Sequence, residues 1–527
     1  MINCLVIMKK NTKFSTFVKS SSTEAEGFRI LIVYPTIPMM LVTPLAIAIF
    51  TWILRKDGFE VDLFDSTQYA DGDSSSPQNR AKFLQARNLF AKQNLEFHEQ
   101  NQLDHDFRQK IKSFKPNLLL YSFTEDSLGR ALQMLRISNS YHIPTIVGGV
   151  LATADPEWLI SLPEISILGV GEGEEVVREV ALLLSQNKSI ESVANLWIKL
   201  PGGRIIRNPE RPYVHLDNYS ADFSLFDESR FMRPMGGKIH RALPIETYRG
   251  CPYRCTFCNS PMHNYAANRD HRVYIRRCSI DTVRLKIKQL IESHKVNLLY
   301  FVDDSFLARP RKELEQFMEM YAEFRIPFWF NTRPENCNPE LLNRLREVGL
   351  FRVSFGVESG NERFRKEVLE RNISNKDLIR YFNMINDAGI QFSINYIIGF
   401  PFETRELIFD TISFAKQIKG YDSLTVSVFT PYRGTVLRKR AIKEGWLDPE
   451  ARTVHTTASS LLNMPHLTPR QIDGLMRTFL LYVEFNKACY PEIEKIERFE
   501  LGSEEILKKY TQLYQERRWG KVGGLTS

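Results

Sequence analysis

The sequence predicts an α/β protein in three parts: a doubly wound parallel sheet, then a partial (β/α)6 barrel, then a small helical domain. Three observations carry this. Short apolar, β-branched runs alternate with helix-period segments, the pattern of parallel strands covered on both faces. The alternation restarts near residue 241 and yields six strand–helix units, which suit an open barrel. From about residue 446 the pattern is mostly helical.

The elements follow in order. The run RILIVY at 29–34 reads as a strand ending at Pro35. A helix over 45–55 follows, closed by Gly58. Further strands are expected at 60–65, at 117–122 after Pro116, at 143–148 and at 165–169. The polar segment 71–113 reads as a loop with an inserted helix, and 196–207 as a hairpin turning at Gly202 and Gly203. Barrel strands are expected at 242–248, 298–303, 328–332, 351–358, 392–398 and 423–430. Helices at 283–292, 311–323, 339–347, 376–388 and 404–418 lie between most of them. Helices at 469–486 and 503–517 end the chain, with Ser503 as the expected cap of the last and Glu504 and Glu505 in its first turn. Ligands of such sheets sit outside the carboxyl ends of the strands.

At 527 residues the chain should hold about three domains. With 43% apolar and 25% charged residues it has an ordinary globular composition. A net charge of +8 permits anionic partners, but no dense Lys/Arg block points to nucleic acid. Seven cysteines, three of them on one loop, are not a secreted disulfide framework. With Cys4, Cys278, Cys337 and Cys489 scattered, a reducing compartment, the cytoplasm, is expected. The longest apolar run, 39–54, has 16 residues and is broken by Thr43, Pro44 and Thr51. A bilayer needs about 20, so no membrane span is expected. The apolar patch 5–8 precedes Lys9 and Lys10, the reverse of a signal peptide, and residues 1–26 read as a loose tail.

The most informative segment is YRGCPYRCTFCN at 248–259. Cys251, Cys255 and Cys258 are spaced CxxxCxxC. Thiolates suit iron–sulfur clusters, and this spacing on one loop can hold three corners of a cubane. No fourth cysteine follows nearby, which would leave one iron open. A zinc site would want a fourth Cys or His, for which His263 is the nearby candidate. With Phe257 before the last cysteine, the loop resembles that of the radical S-adenosylmethionine (SAM) superfamily.

That resemblance implies a 4Fe-4S cluster on the three cysteines. Its open iron would chelate SAM, and an electron from flavodoxin or ferredoxin would drive cleavage to a 5′-deoxyadenosyl radical. The later strand ends look similar: FVDDSF at 301–306, FNTRPE at 330–335, VSFGVESG at 353–360, YIIGFPFET at 396–404 and FTPYRGT at 429–435. By resemblance, Asp303 or Asp304 would take the SAM amino group. Arg333, Glu358 and Ser359 would bind its carboxylate and ribose. Gly399 and Pro401 would let backbone approach the adenine, and Phe257 would line the site. Glu358 would serve SAM binding rather than folding. Asp at a strand-to-helix turn also serves as an ordinary helix cap. The sequence assigns no role to Arg433 and names no proton-transfer residue.

In the first sheet, VGGVLAT at 147–153 and GVGEGE at 169–174 follow the fourth and fifth strands. Such glycines also suit tight turns, and they do not fit the dinucleotide fingerprint. In this order, ahead of the cysteine loop, they resemble the cobalamin-binding domain of cobalamin-dependent radical SAM proteins, over roughly residues 28–445. The resemblance implies a Rossmann-like cobalamin domain at 27–185, a connector at 186–240, a radical SAM barrel at 241–445 and a helical domain at 446–527. Ser122, Thr124, Gly148, Gly149, Thr153, Gly171, Glu172 and Gly173 would contact cobalamin. A domain that has lost its cofactor is the alternative. A histidine often follows the Gly-Gly pair in that family, where this chain has Leu151, and no DxHxxG loop follows the first strand. Cobalt should then lack a protein histidine. The implied activity is methyl transfer to an unactivated carbon or phosphorus centre of a small molecule. A cobalamin-dependent cyclase or rearrangement enzyme is the first rival, and a cobalamin sensor the second. The two sheets should meet strand end to strand end, with substrate between them.

Overall fold

A strand that is apolar on both sides must be covered on both, and the first sheet obeys this rule. The computed structural model describes residues 27–38, 42–70, 76–85, 98–99, 101–235, 238–261 and 273–520. The expected tail 1–26, with Cys4, and the zinc candidate His263 lie outside the described residues. The first sheet holds β1 (Arg29–Tyr34), β2 (Glu60–Asp65), β3 (Leu118–Ser122), β4 (Thr145–Gly148) and β5 (Ile167–Gly169), then β6 (Leu196–Lys199) and β7 (Ile205–Arg207). Its order is β2-β1-β3-β4-β5-β6-β7. The first five strands run parallel. On β1, Ile30 and Ile32 join one core while Leu31 and Val33 join another. Helices Leu45–Lys56 and Glu174–Ser185 supply the first core, and Gln102–Phe114 and Leu128–Asn139 the second.

The hairpin expected in the connector is β6–β7, and it extends this sheet by pairing antiparallel with β5. It covers the edge that β5 would otherwise expose.

The second sheet is built from β8 (Met232–Met235), β9 (Lys238–Ile245), and, after a small hairpin of β10 (Tyr248–Arg249) and β11 (Arg276–Arg277), β12 (Leu298–Phe301), β13 (Phe328–Thr332), β14 (Leu350–Glu358), β15 (Gln391–Ile398) and β16 (Ser423–Val428). Its order is β16-β15-β14-β13-β12-β9-β8. The six expected barrel strands are all parallel neighbours. The sequence reading missed β8, an antiparallel edge strand holding Pro234, a residue that sheets accept at edges. Interlocked rings fill the layer between strands and outer helices: Phe306 stacks on Phe330 at 4.4 Å, and Phe301 meets Phe317 edge-on at 5.3 Å.

The C-terminal helices Pro469–Glu484, Tyr490–Glu497 and Ser503–Trp519 pack on the barrel. Arg405 donates to Glu497 at 2.7 Å, and Tyr482 donates to the same carboxylate at 2.6 Å. Ser503 is not the cap of the last helix. Gly502, in the left-handed region, holds that position, and Ser503 is the first helical residue, buried. Among the described residues no helix is long and apolar enough to cross a membrane.

Candidate active site between two sets of strand ends

The chain leaves β9 at Ile245 and reaches the cysteine loop through a turn pinned by Asp303. This carboxylate is buried at the end of β12. It accepts from Thr247 N at 2.8 Å, Thr247 Oγ1 at 2.6 Å and Tyr248 N at 2.9 Å, and it pairs with Arg309. With its acceptor sites used, Asp303 is a structural residue, whereas Asp304 is exposed and accepts from Ser260 Oγ at 3.4 Å. Gly250 follows with φ +107°, and a Cβ there would stand 2.9 Å from Tyr274 O. Only glycine suits that approach. Strands β10 and β11 pair across the two ends of the loop.

Beyond this neck, Thr256 is locked on both sides. Its Oγ1 donates to Val368 O at 2.7 Å, and its carbonyl accepts from Leu437 N at 3.1 Å. Phe257 packs against Phe400, just past β15, with centroids 5.8 Å apart. The three cysteines are free thiols. Burial pushes Cys251 up to about 11 and Cys258 up to about 12, and raises Cys255 as well. Cys258 is nonetheless solvent-accessible, as is Asp304.

Opposite charges flank the thiols. Asp304 acts electrostatically on Cys251 and Cys258, and its own acidity is weakened by burial and by Asp303. Arg371, Arg333 and Glu358 act on Cys255. Arg333 lies 3.8 Å over the Tyr253 ring and 2.7 Å from Glu335. Arg371 was missed by sequence reasoning because it lies outside any strand-end motif. It donates to Glu358 Oε1 at 2.9 Å and to Gly356 O at 2.7 Å, while its Nε is buried without an aligned acceptor.

Glu358 therefore has a partner from the fold itself. Its φ of +70° and the register shift between Gly356 and Glu358 turn the carboxylate back over Gly356. A Cβ on Gly356 would meet Glu358 Oε1 at 2.1 Å. Ser359 is fully buried, and its hydroxyl accepts from Asn361 N at 3.3 Å, away from the cleft. Gly399, at φ +80°, turns its Cα toward Ile472 of the C-terminal helix, 3.1 Å from a Cβ placed there. Pro401 is buried beside it. Glu403, also missed, holds this turn by accepting from Gly399 N at 2.6 Å and Phe400 N at 3.2 Å.

The loops of the first sheet divide into a shelf and a clamp. Ser122, Thr124, Gly148 and Gly149 end β3 and β4 with small side chains, and Val150 beside them is 48% exposed. Gly149 has φ +107°, and a Cβ on it would stand 2.4 Å from Phe123 O. Thr153 Oγ1 accepts from Gly171 N at 2.9 Å, tying the loops after β4 and β5 together. Gly173 serves packing: a Cβ there would meet the Phe50 ring at 2.6 Å. Glu172 is taken up by the other sheet. It accepts from Arg249 at 2.8 Å, Arg276 at 2.7 Å and Val214 N at 2.8 Å. Arg249 and Arg276 sit on β10 and β11, so this carboxylate grips the neck of the cysteine loop. The first sheet's carboxyl ends therefore face those of the barrel, as expected.

The Radical SAM superfamily matches this chain over residues 245–415, which holds the cysteine loop and four of the six parallel strands, β12 to β15. The B12 binding domain matches over residues 80–181. The chain thus carries a B12 binding domain followed by a radical SAM domain. An uncharacterized methyltransferase of Pyrococcus horikoshii is 26% identical over 388 residues, 72% of this chain and 81% of that protein. Among solved structures, the cobalamin-dependent S-adenosylmethionine radical enzyme OxsB superposes with TM-score 0.63 at 14% identity, covering 93% of this chain and 72% of its own. The radical S-adenosylmethionine methyltransferase TsrM of Kitasatospora setae gives 0.60 at 14% identity, covering 91% and 98%.

The residues of this chain fit the groups its two matched domains imply. Three free thiols on one loop suit a 4Fe-4S cluster. A zwitterion would find an acid in Asp304 and, near Cys255, the guanidinium of Arg371, which pairs with Glu358 and keeps its Nε without an acceptor. The shelf of small residues with an exposed valine suits a large flat ligand lying across β3 and β4.

Proposed function

We propose that this enzyme transfers a methyl group to an unactivated carbon or phosphorus centre of a small molecule. One observation carries this reading: the loops after β3, β4 and β5 are joined to the neck of the cysteine loop and to the turn after β16 by Glu172–Arg249 and Arg433–Asp155, so the two sets of strand ends face each other. The relative in Pyrococcus horikoshii, described as a methyltransferase, supports the direction of the chemistry. When bound, the cluster with SAM supplies a 5′-deoxyadenosyl radical, and cobalamin supplies the methyl group.

The chain's own residues position and shield. Cys251, Cys255 and Cys258 hold the cluster, and ligation must release their protons, since burial keeps the free thiols neutral. Asp304 receives the SAM ammonium, and Arg371 with Arg333 faces its carboxylate, a charge-assisted arrangement on two sides of one ligand. Phe257 and the β15 turn wall the site. Ser122, Thr124, Gly148, Gly149, Thr153 and Gly171 form the cobalamin shelf. Glu172 closes the gap against water from the side of the neck. We divide the chain as a cobalamin domain (27–185), connector (186–240), barrel (241–445) and helical domain (446–527), acting in the cytoplasm with flavodoxin or ferredoxin as reductant.

The test is anaerobic reconstitution with iron, sulfide and cobalamin, then incubation with SAM and dithionite, alongside untargeted mass spectrometry of cells with and without the protein. The reading expects 5′-deoxyadenosine, S-adenosylhomocysteine and a metabolite heavier by one CH2. A cyclised or rearranged product without that gain assigns the enzyme to the rival chemistry. No SAM cleavage at all overturns both.

A further inference from the structure

We propose that Arg433 is a positioning residue that sets the spacing between the two sets of strand ends across which the enzyme works. This inference rests on the proposed reading of the gap, and it concerns a residue to which sequence motifs assign no role.

Arg433 lies in the turn after β16 and is 4% exposed. Its backbone N–H donates to Glu125 Oε2 at 2.9 Å. Its Nη1 donates to Asp155 Oδ2 at 2.8 Å and its Nη2 to Pro449 O at 3.1 Å. The guanidinium lies 3.4 Å over the Trp158 ring. Glu125 follows Thr124 on the shelf, and Asp155 ends the short helix that follows Gly149. One residue of the barrel therefore reaches both shelf loops, Asp155 through its guanidinium and Glu125 through its backbone N–H, with Nε 3.7 Å from the same Glu125 carboxylate. Thr453 also donates to Glu125, and Arg438 braces the turn from below through Pro431 O at 2.8 Å.

The topology gives this contact its consequence. Among the six parallel barrel strands, β9 and β16 are the outer two. Glu172 grips the neck that follows β9, and Arg433 grips the shelf from the turn that follows β16. The first sheet is thus held at both margins of the barrel opening, and the gap has a defined width. A lysine cannot reproduce the contact, because an ammonium lacks the flat fork that stacks on Trp158 while reaching two acceptors.

The experiment compares the reconstituted full chain with Arg433→Ala, Arg433→Lys and the milder Asp155→Asn. The first readout is hydrogen–deuterium exchange at 122–127 and 153–158, which needs no cofactor. Arg433→Ala and Arg433→Lys should exchange several-fold faster there, and Asp155→Asn at 153–158. The second is the dipolar distance between cob(II)alamin and the reduced cluster by pulsed paramagnetic resonance. It should be narrow in the parent and broadened or longer in both Arg433 variants, with Lys failing to rescue. Unchanged exchange in folded variants overturns the proposal, as does an unchanged distance beside faster exchange. If Arg433→Ala does not fold, Arg433→Lys and Asp155→Asn decide by the same criteria. A parent protein that binds no cobalamin refutes the functional reading instead, and exchange alone then decides the role of Arg433.

Discussion

Glu172 and Arg249 meet at 2.8 Å across the boundary between the two sheets, and this contact joins the glycine-rich loop after β5 to the residue two places before Cys251. Arg249 also reaches Glu174 and Glu246, each at 2.8 Å, while Arg276 holds the other side of Glu172 at 2.7 Å. The side chains of Glu172 and Arg276 are 15% and 12% exposed, so the network is largely withdrawn from water.

Removing the charge of Glu172 should therefore cost stability rather than only a ligand contact. Breaking a buried pair while leaving its cations typically costs about 3–5 kcal/mol. Glu172→Gln should lower the urea midpoint accordingly and leave iron content near the parent's. Burial alone would raise this carboxyl, but Arg276 and Arg249 prevail and hold it below the ordinary range. A depressed acid contributes above its unfolded pKa, and the contribution is lost as pH falls through the folded value. The gap between parent and variant should narrow in acid. A midpoint equal to the parent's at pH 7 would refute the clamp.

Replacing Cys251, Cys255 and Cys258 together by Ala should abolish cluster absorbance and all SAM cleavage while leaving the far-ultraviolet dichroism intact. The loop is held by Thr256, Gly250 and the β10–β11 pair rather than by the thiols, so the fold should persist. Full iron and sulfide in the triple variant would remove the cluster assignment.

Glu358→Gln should weaken SAM binding and also destabilise the protein, because Arg371 loses its charged partner in a buried setting. The binding loss should be about 1.5–3 kcal/mol, typical of a hydrogen bond involving a charged group. Anaerobic titration calorimetry and urea unfolding read the two effects separately. A variant that binds SAM as the parent does but unfolds earlier would make Glu358 purely structural.

Glu403 should give the fold a pH dependence of its own. It is fully buried, and burial pushes it up to about 8, against the pull of Phe400 N and Gly399 N. The folded state keeps this proton longer than the unfolded chain does. The stabilisation is full below the ordinary carboxylate range and is lost as pH rises toward 8, by on the order of a few kcal/mol. Glu403→Gln lacks this loss, so between pH 5 and pH 8 its urea midpoint should gain on the parent's. Parallel profiles would count against it.

Cobalamin should bind without a protein histidine on cobalt, since residues 35–44, which follow β1 in the sequence, contain none. Paramagnetic resonance of the bound cob(II)alamin should show no hyperfine splitting from an axial imidazole. A nitrogen-split spectrum that survives in cobinamide would contradict this.

The sequence by itself determined what depends on near neighbours along the chain. Strand faces such as Ile30 to Val33 announce themselves by composition. The three cysteines share one short loop, so their spacing alone names the ligands. The order of strands and helices placed that loop after β9, and the glycine pairs after β4 and β5, at carboxyl ends. Only the tertiary structure decided which charged groups remain for ligands. Asp303 and Asp304 are adjacent and chemically identical, yet one is consumed by Thr247, Tyr248 and Arg309 while the other faces the cleft. Glu172 read as a cofactor contact and proved to be a clamp on Arg249, 77 residues away. Arg371 carried no motif and Arg433 no assigned role, and Arg433 finds Glu125 across 308 residues. The physical reason is one of range. Backbone conformation and burial periodicity are set by neighbouring residues, whereas a buried charge must be matched by whichever partner the chain's topology brings within about 3 Å.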